Sequence, residues 1–271
     1  MKYKMLLCDI DGTLRPFSNP CVPRENVEAV QAVQSLGVKF AISTGRSRQV
    51  MPSGMLNGIK PDFWICAAGA QVLLGDGSEL ATQHMPLASL NPLIIFCKEW
   101  GLPLRLTFSD GIYAYSGYET LLAWVREHGM KLELRNGESH TRHLTELPIA
   151  ATGILPETAV EEFQSLYPEA GLRFPYIKGD HCDILWSGQS KAVGLRILLK
   201  DCGLSMAECV SVGDGGNDVE LLAVTGMSYC VADGSREAKA AAKRICPAAG
   251  EFGVATVCRE LWPQAFAAAG N

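Results

Sequence analysis

The sequence predicts an α/β protein: a parallel sheet covered by helices on both faces, with an α+β module inserted into it. Two observations lead there. At both ends of the chain, strand-like runs alternate with helical periods, and the runs are continuously apolar, as strands buried on both faces must be. The middle of the chain instead carries alternating strands around Asp110-Gly111 and Gly179-Asp180. Such turns between alternating runs read as hairpins of an antiparallel sheet.

The elements follow in order. "KMLLCDI" opens the chain as a buried strand. Residues 23–36 place Val27, Val30 and Val33 at helical spacing, with Pro23 suited to a first turn. "VKFAIST" (38–44) is a second strand and "DFWICAAGA" (62–70) a third. Past residue 190 come a helix over about 190–202, the strand "CVSVGD", a helix near 218–225 and the strand "SYCVAD". A helix from Ser235 and a short strand "GVATV" close the series.

In the middle, "LASLNPLIIFCKEW" and "YETLLAWVREHG" are amphipathic helices flanking the first hairpin, "LRLTFSDGIYAYSG". "LPIAATGIL" is a strand, "ETAVEEFQSLY" a helix and "LRFPYIKGDHCDILWSG" the second hairpin. The module therefore spans 84–187, inserted into a core formed by 1–83 and 188–271. The crossings near 80–86 and 187–190 are the expected hinges.

Composition narrows the function classes. A chain of 271 residues, 48% hydrophobic and 20% charged, builds a core without staples. A net charge of -5 gives no global attraction for nucleic acid or anionic membranes. No run approaches the ~20 apolar residues of a membrane span, and the N-terminus has no secretory pattern. The ten cysteines are scattered singly with no C-x-x-C. They are expected to be reduced core thiols of a cytoplasmic protein.

Four short segments carry chemistry, each where a parallel strand ends, which is where open α/β sheets bind ligands. In Asp9-Ile10-Asp11-Gly12-Thr13, residues i and i+2 of an extended chain share a side, so Asp9 and Asp11 are expected to face one cavity. Ser43-Thr44-Gly45-Arg46 offers a hydroxyl and main-chain amides to a phosphate, or a helix cap. Lys191 sits at a predicted helix start, where a cation opposes the helix dipole. Asp214-Gly215-Gly216-Asn217-Asp218 adds two carboxylates at a further strand end. Four carboxylates at one crevice repel one another, and a hard divalent cation resolves that repulsion. Beside a lysine and a hydroxyl, the set suits phosphoryl transfer.

The ordered motifs D-I-D-G-T-L, S-T-G-R, a lone lysine and G-D-x-x-N-D resemble the haloacid dehalogenase superfamily. The large insertion between the second and third motifs is similar to the C2B cap of its Cof-type members. The resemblance implies a Rossmann-like three-layer core and a cap that closes and expels water. It implies an Mg²⁺-dependent phosphatase of a small phosphorylated metabolite, such as a sugar phosphate. Asp9 would be the nucleophile, forming an aspartyl-phosphate. Asp11 would protonate the leaving alcohol and later deprotonate water. Asp9, the Asp11 carbonyl and Asp214 would hold Mg²⁺, with Asp218 direct or through water. Thr44, Gly45, Lys191 and Asn217 would hold the phosphate. The acid/base at Asp11 separates the chain from ion-pumping relatives, which carry threonine there.

Two departures touch the surroundings. Ala67-Ala68-Gly69-Ala70 stands where many Cof-type sequences have Asn-Gly, and "VADGS" replaces a Gly-Asn-Ala segment. A phosphomutase on the same scaffold and a non-catalytic sensor of a phosphorylated ligand are the alternative readings. Monomer and homodimer are both open. His140 and His143, at helical spacing in a very polar segment, read as an exposed loop rather than a metal pair. Trp100 and Trp124 read as helix-packing anchors.

Overall fold

The computed structural model describes residues 1–127 and 132–267, and the end of one expected helix, His128 and Gly129, lies outside them. The chain divides into two units. One comprises residues 1–45, 51–81 and 190–271; the other comprises 46–50 and 82–189.

The first unit is built on an eight-stranded sheet. Its parallel part takes β1 (Met5–Cys8), β2 (Lys39–Ser43), β3 (Phe63–Cys66), β13 (Cys209–Gly213), β14 (Met227–Val231) and β15 (Arg244–Cys246). β4 (Gln71–Leu74) and β5 (Glu79–Thr82) extend one edge, with β4 antiparallel to β3. The order is β15-β14-β13-β1-β2-β3-β4-β5. Alternate residues of β1 serve opposite faces, as the period of two requires. Leu6 and Cys8 join Val27, Val30 and Val33 of α1 (Arg24–Ser35) and Val254, Val257 and Cys258 of α8 (Gly253–Leu261). Met5 and Leu7 join Leu195, Leu198 and Leu199 of α5 (Lys191–Cys202) and Leu221 of α6 (Val219–Val224). The result is the expected helix–sheet–helix sandwich.

Three expectations change here. The strand predicted over 62–70 ends at Cys66, and a 3₁₀ turn over Ala67–Gly69 leads into the β4–β5 hairpin. The left-handed φ values of Ala67, Ala68 and Gly69 (+50°, +49° and +98°) break the extended run. "GVATV" is helical, inside α8, because Val254, Val257 and Cys258 form a buried stripe at helical spacing. The outer strand is β15 instead, a segment too short and polar to stand out. All ten cysteines are free, and eight of them are buried.

The second unit holds an antiparallel sheet of β6 (Leu104–Phe108), β7 (Gly111–Ser116), β9 (Ala150–Ile154), β10 (Leu172–Arg173) and β12 (His181–Trp186). β8 (Leu134–Asn136) runs parallel to β7 at one edge, and β11 (Tyr176–Lys178) pairs with β12. α2 (Leu87–Glu99) and α4 (Glu157–Leu166) meet through Phe96 and Phe163, edge to face at 5.3 Å. α3 (Tyr118–Glu127) packs Leu121 on Ile112, Ala114 and Leu134, with Val50 beside them. Val50 and Gln49, whose Nε2 donates to the Phe108 carbonyl at 2.9 Å, tie residues 46–50 to this unit.

Strand register sets Arg105, Thr152 and Asp183 in one row across β6, β9 and β12. Trp124 joins this group, 4.6 Å from the His181 ring and 5.7 Å from the Arg105 guanidinium. Its role is thus wider than helix packing. Trp100 stacks on Phe96 at 5.0 Å. His140 Nε2 lies 2.6 Å from the Tyr115 carbonyl, and His143 Nδ1 lies 3.2 Å from the Tyr115 hydroxyl. The two histidines brace Tyr115 and are partly shielded by it.

Candidate active site

β1 lies between β13 and β2, where the strand order reverses, and the site forms at the carboxyl ends of these strands. Register sets Cys8 opposite Val212, so Asp9 and Asp214 leave neighbouring strands close together. The Asp9 amide continues the ladder, donating to the Val212 carbonyl at 3.0 Å. Asp218 closes the next turn, and its Oδ2 accepts from the amides of Asp214 and Gly215 at 3.1 Å each. One ligand oxygen from each of Asp9, Asp214 and Asp218 lies within 4.8 Å of the others.

Lys191 enters this cluster from the first turn of α5. Its Nζ donates to Asp9 Oδ1 at 2.9 Å and to Asp218 Oδ1 at 2.6 Å, and its side chain is 0% exposed. The packing that delivers it is backbone-tight. A Cβ on Gly69, at φ +98°, would lie 1.9 Å from the Ser190 carbonyl oxygen. Ser190 then caps α5 by accepting from the Val193 amide. Thr44 is buried at the end of β2; its amide donates to the Ile65 carbonyl at 2.8 Å and its carbonyl accepts from the Ala68 amide at 3.0 Å. Gly45 follows it, and Asn217 sits in the 3₁₀ turn before α6.

Asp11 stands apart from the tight trio. The segment after β1 curls, with the Arg15 amide bonded to the Ile10 carbonyl at 2.9 Å, rather than staying extended. Asp11 is not one of the three clustered carboxylates, yet its charge reaches both Asp9 and Asp214 and raises them. The Asp11 carboxylate is paired with the buried Arg15 guanidinium, which also donates to the Asn19 carbonyl. The four-carboxylate group expected from sequence is thus three clustered carboxylates and one arginine-paired neighbour.

Two further residues belong to the site. Thr13 is fully buried and donates through Oγ1 to Asp214 Oδ1 at 2.6 Å. Its place in D-x-D-G-T was visible, but its partner, 201 residues on, was not. Arg15 is four residues beyond Asp11, a spacing that signals a pair once the chain is known to curl. Gly12, at φ +85°, lets the loop pass Asp214: a Cβ there would lie 2.5 Å from its Oδ2. The departure at "VADGS" leaves Asp214 held, since the Ser235 amide donates to its carbonyl at 2.7 Å.

Charge in this cluster is out of balance. Burial pushes the Asp9 carboxyl well above its ordinary value, and Asp218, Asp214 and Asp11 add to the shift while Lys191 opposes it. Burial, then Asp218, raises Asp214 to about 7. Burial alone would lower the Lys191 ammonium, but Asp218 and Asp9 outweigh it and hold the ammonium above its usual range. Three carboxylates facing one buried ammonium leave an excess of negative charge. Their all-oxygen donor set fits a hard divalent cation. A separate surface cavity of about 460 Å³ is lined by Lys4, Lys39, Phe63 and Asp201. It lies at the amino ends of the same strands, the wrong end for this chemistry. Among the described residues, no helix is long and apolar enough to cross a membrane.

Comparison with known proteins identifies the family. The profile of the haloacid dehalogenase-like hydrolases matches residues 6–257. A 5-amino-6-(5-phospho-D-ribitylamino)uracil phosphatase of Escherichia coli (strain K12) is 39% identical over 257 residues, covering 90% of each chain. An HMP-PP phosphatase of Yersinia pseudotuberculosis is 24% identical over 237 residues, 83% of this chain and 82% of that one. Some relatives are longer: the chain spans 46% of a chloroplastic endoribonuclease of Arabidopsis thaliana, with 23% identity over 272 residues. Among solved structures, a HAD subclass IIB sugar phosphatase superposes with a TM-score of 0.84 at 22% identity, covering 95% of this chain and 98% of that one. A phosphatase from Bacteroides thetaiotaomicron gives a TM-score of 0.83 at 22% identity, covering 95% and 94%. The match along nearly the whole chain places this protein among the haloacid dehalogenase-like hydrolases, as a phosphatase of the Cof type.

Proposed function

We propose that the protein hydrolyses a phosphorylated sugar or polyol, with Mg²⁺ as cofactor and Asp9 as nucleophile. The observation that carries this reading is the buried Lys191 ammonium bridging Asp9 and Asp218 inside a three-carboxylate cluster. Burying a lysine and its carboxylate partners carries a desolvation cost that stability alone does not call for. Here they place a cation beside an attacking carboxylate, as phosphoryl transfer needs. The ribityl phosphate in the name of the 39%-identical relative supports a polyol phosphate as substrate.

The reaction runs in two displacements. An Asp9 carboxylate oxygen bonds to phosphorus as the phosphorus–ester oxygen bond breaks, and Asp11 gives its proton to the departing alcohol. Water then surrenders a proton to Asp11 and attacks the aspartyl-phosphate, breaking the bond to Asp9 and releasing phosphate. Thr44, Gly45, Lys191 and Asn217 hold the transferred phosphoryl group. Asp9, the Asp11 carbonyl and Asp214 would hold Mg²⁺, with Asp218 direct or through water, and the ion would neutralise phosphate charge.

A phosphate-release screen over sugar and polyol phosphates, with and without Mg²⁺, tests the reading. Asp9→Asn is expected to lower kcat by at least about 10³-fold while the protein stays folded. Wild-type turnover by that variant would remove Asp9 as nucleophile.

A further inference from the structure

We infer that Phe17 is a specificity-determining residue, an aromatic platform that receives the carbon face of the leaving group. The inference rests on the phosphatase reading of the carboxylate cluster and goes beyond it. Phe17 is 65% exposed. Exposure of one apolar side chain means little by itself; the position of this one is what matters. Among the exposed large apolar side chains, Phe17 is the one that follows the Asp9–Thr13 loop.

The ring lies against that loop. A Cβ placed on Gly12 would be 2.7 Å from Phe17 Cε2 and 2.5 Å from Asp214 Oδ2. The ring edge and the Asp214 carboxylate therefore pack on the same α-carbon. The positive ring edge tolerates a carboxylate beside it, which leaves the apolar ring with a place at the site although most of it is exposed.

The support beneath the ring is fixed. Pro16 to Asn19 form a turn, with the Asn19 amide donating to the Pro16 carbonyl at 3.0 Å. Arg15, 7% exposed, anchors the turn by bonding the Asn19 carbonyl and pairing with Asp11. The Gly12 amide donates to the Arg15 carbonyl at 2.9 Å. Asn26 Nδ2 holds the Leu14 carbonyl at 2.8 Å. Phe17 is thus presented by a preorganised loop, which limits the ordering cost of using it.

The chemistry follows from adjacency. A phosphomonoester bound with its phosphorus at Asp9, before the ester bond breaks, brings its ester oxygen and carbon substituent to this loop. A phenyl face favours a flat or C–H-bearing carbon surface over a fully hydrated one. The ligand class is a phosphomonoester whose carbon skeleton begins at the ester oxygen and offers such a face.

The test compares wild type, Phe17→Ala and Phe17→Tyr on p-nitrophenyl phosphate, with inorganic phosphate as a competing ligand that has no carbon skeleton. Phe17→Ala is expected to raise KM for the ester about 5- to 10-fold, with kcat within about twofold and the inhibition constant of phosphate unchanged. Phe17→Tyr is expected to restore KM. Equal weakening of ester and phosphate, or no change in either, overturns the platform while leaving the phosphatase reading in place. A wild-type protein without Mg²⁺-dependent turnover of p-nitrophenyl phosphate or any sugar phosphate overturns both.

Discussion

Lys191 and Asp218 are in direct contact in the carboxylate cluster, Nζ to Oδ1 at 2.6 Å, with both side chains sealed from solvent. The same ammonium also serves Asp9 at 2.9 Å. One cation therefore positions two carboxylates that arrive from opposite ends of the chain.

Lys191→Met removes that cation and leaves the carboxylates buried together. Breaking a buried pair costs about 3–5 kcal/mol, which lowers Tm by roughly 10 °C in a domain of this size. Without the lysine, the carboxylates favour their protonated forms still more strongly in the fold. The loss of Tm is therefore expected to shrink at pH 5.5 relative to pH 7.5. Melting curves at the two pH values check this; equal losses contradict it.

Asp214 gives a pH dependence of its own. Its carboxyl is raised to about 7 in the folded protein, from about 3.9 in an unfolded chain. Between those values the folded state holds the extra proton, so this contribution is full below the lower value and is lost as pH rises through the upper one. Mg²⁺ bound at Asp214 would compete with that proton. The gain in Tm on adding Mg²⁺ is expected to be larger at pH 7.5 than at pH 5.5, reaching about 2.7 kcal/mol of stabilisation when Mg²⁺ is 100-fold above its Kd. Calorimetry with and without Mg²⁺ reads the difference, and a gain independent of pH counts against metal binding at Asp214.

Thr13→Val keeps the shape of a fully buried side chain and deletes its bond to Asp214. Partners that orient a metal-binding carboxylate are commonly worth 10- to 100-fold in metal affinity. The Mg²⁺ concentration for half-maximal activity is expected to rise at least about tenfold, with kcat at saturating Mg²⁺ little changed. An Mg²⁺ titration of activity would show it, and a curve superimposable on wild type rules the role out.

Gly69→Ala forces a Cβ to within 1.9 Å of the Ser190 carbonyl oxygen at a left-handed φ. Overpacking and backbone strain together are expected to cost about 3 kcal/mol. Activity is expected to fall with stability, because Ser190 precedes the lysine that enters the cluster. Urea denaturation measures the first effect and initial rates the second. A variant as stable as wild type would mean that the 67–69 turn relaxes without moving α5.

Much of this was legible in the chain. Continuous apolar runs such as Met5–Cys8 and Cys209–Gly213 declare parallel strands, because burial on both faces leaves no polar alternation. Asp9 and Asp214 follow strand ends and Asp218 closes the turn after one of them, and an α/β sheet gathers strand ends. Short segments resisted reading. "GVATV" suits a strand or a helix by local preference, and only its packing in α8 chose the helix. β15 has three residues, too few to show a period.

Local sequence thus settled which residues carry charge, hydroxyl and backbone freedom, because those are properties of the side chains themselves. Tertiary structure decided their partners. Lys191, unremarkable as a lone lysine, became the buried bridge between Asp9 and Asp218 because α5 docks tightly on Gly69. Asp11 gained Arg15 as its partner because the loop curls after β1. Charge pairing depends on distances of a few ångströms between residues up to about 200 positions apart, and only the folded chain sets those distances.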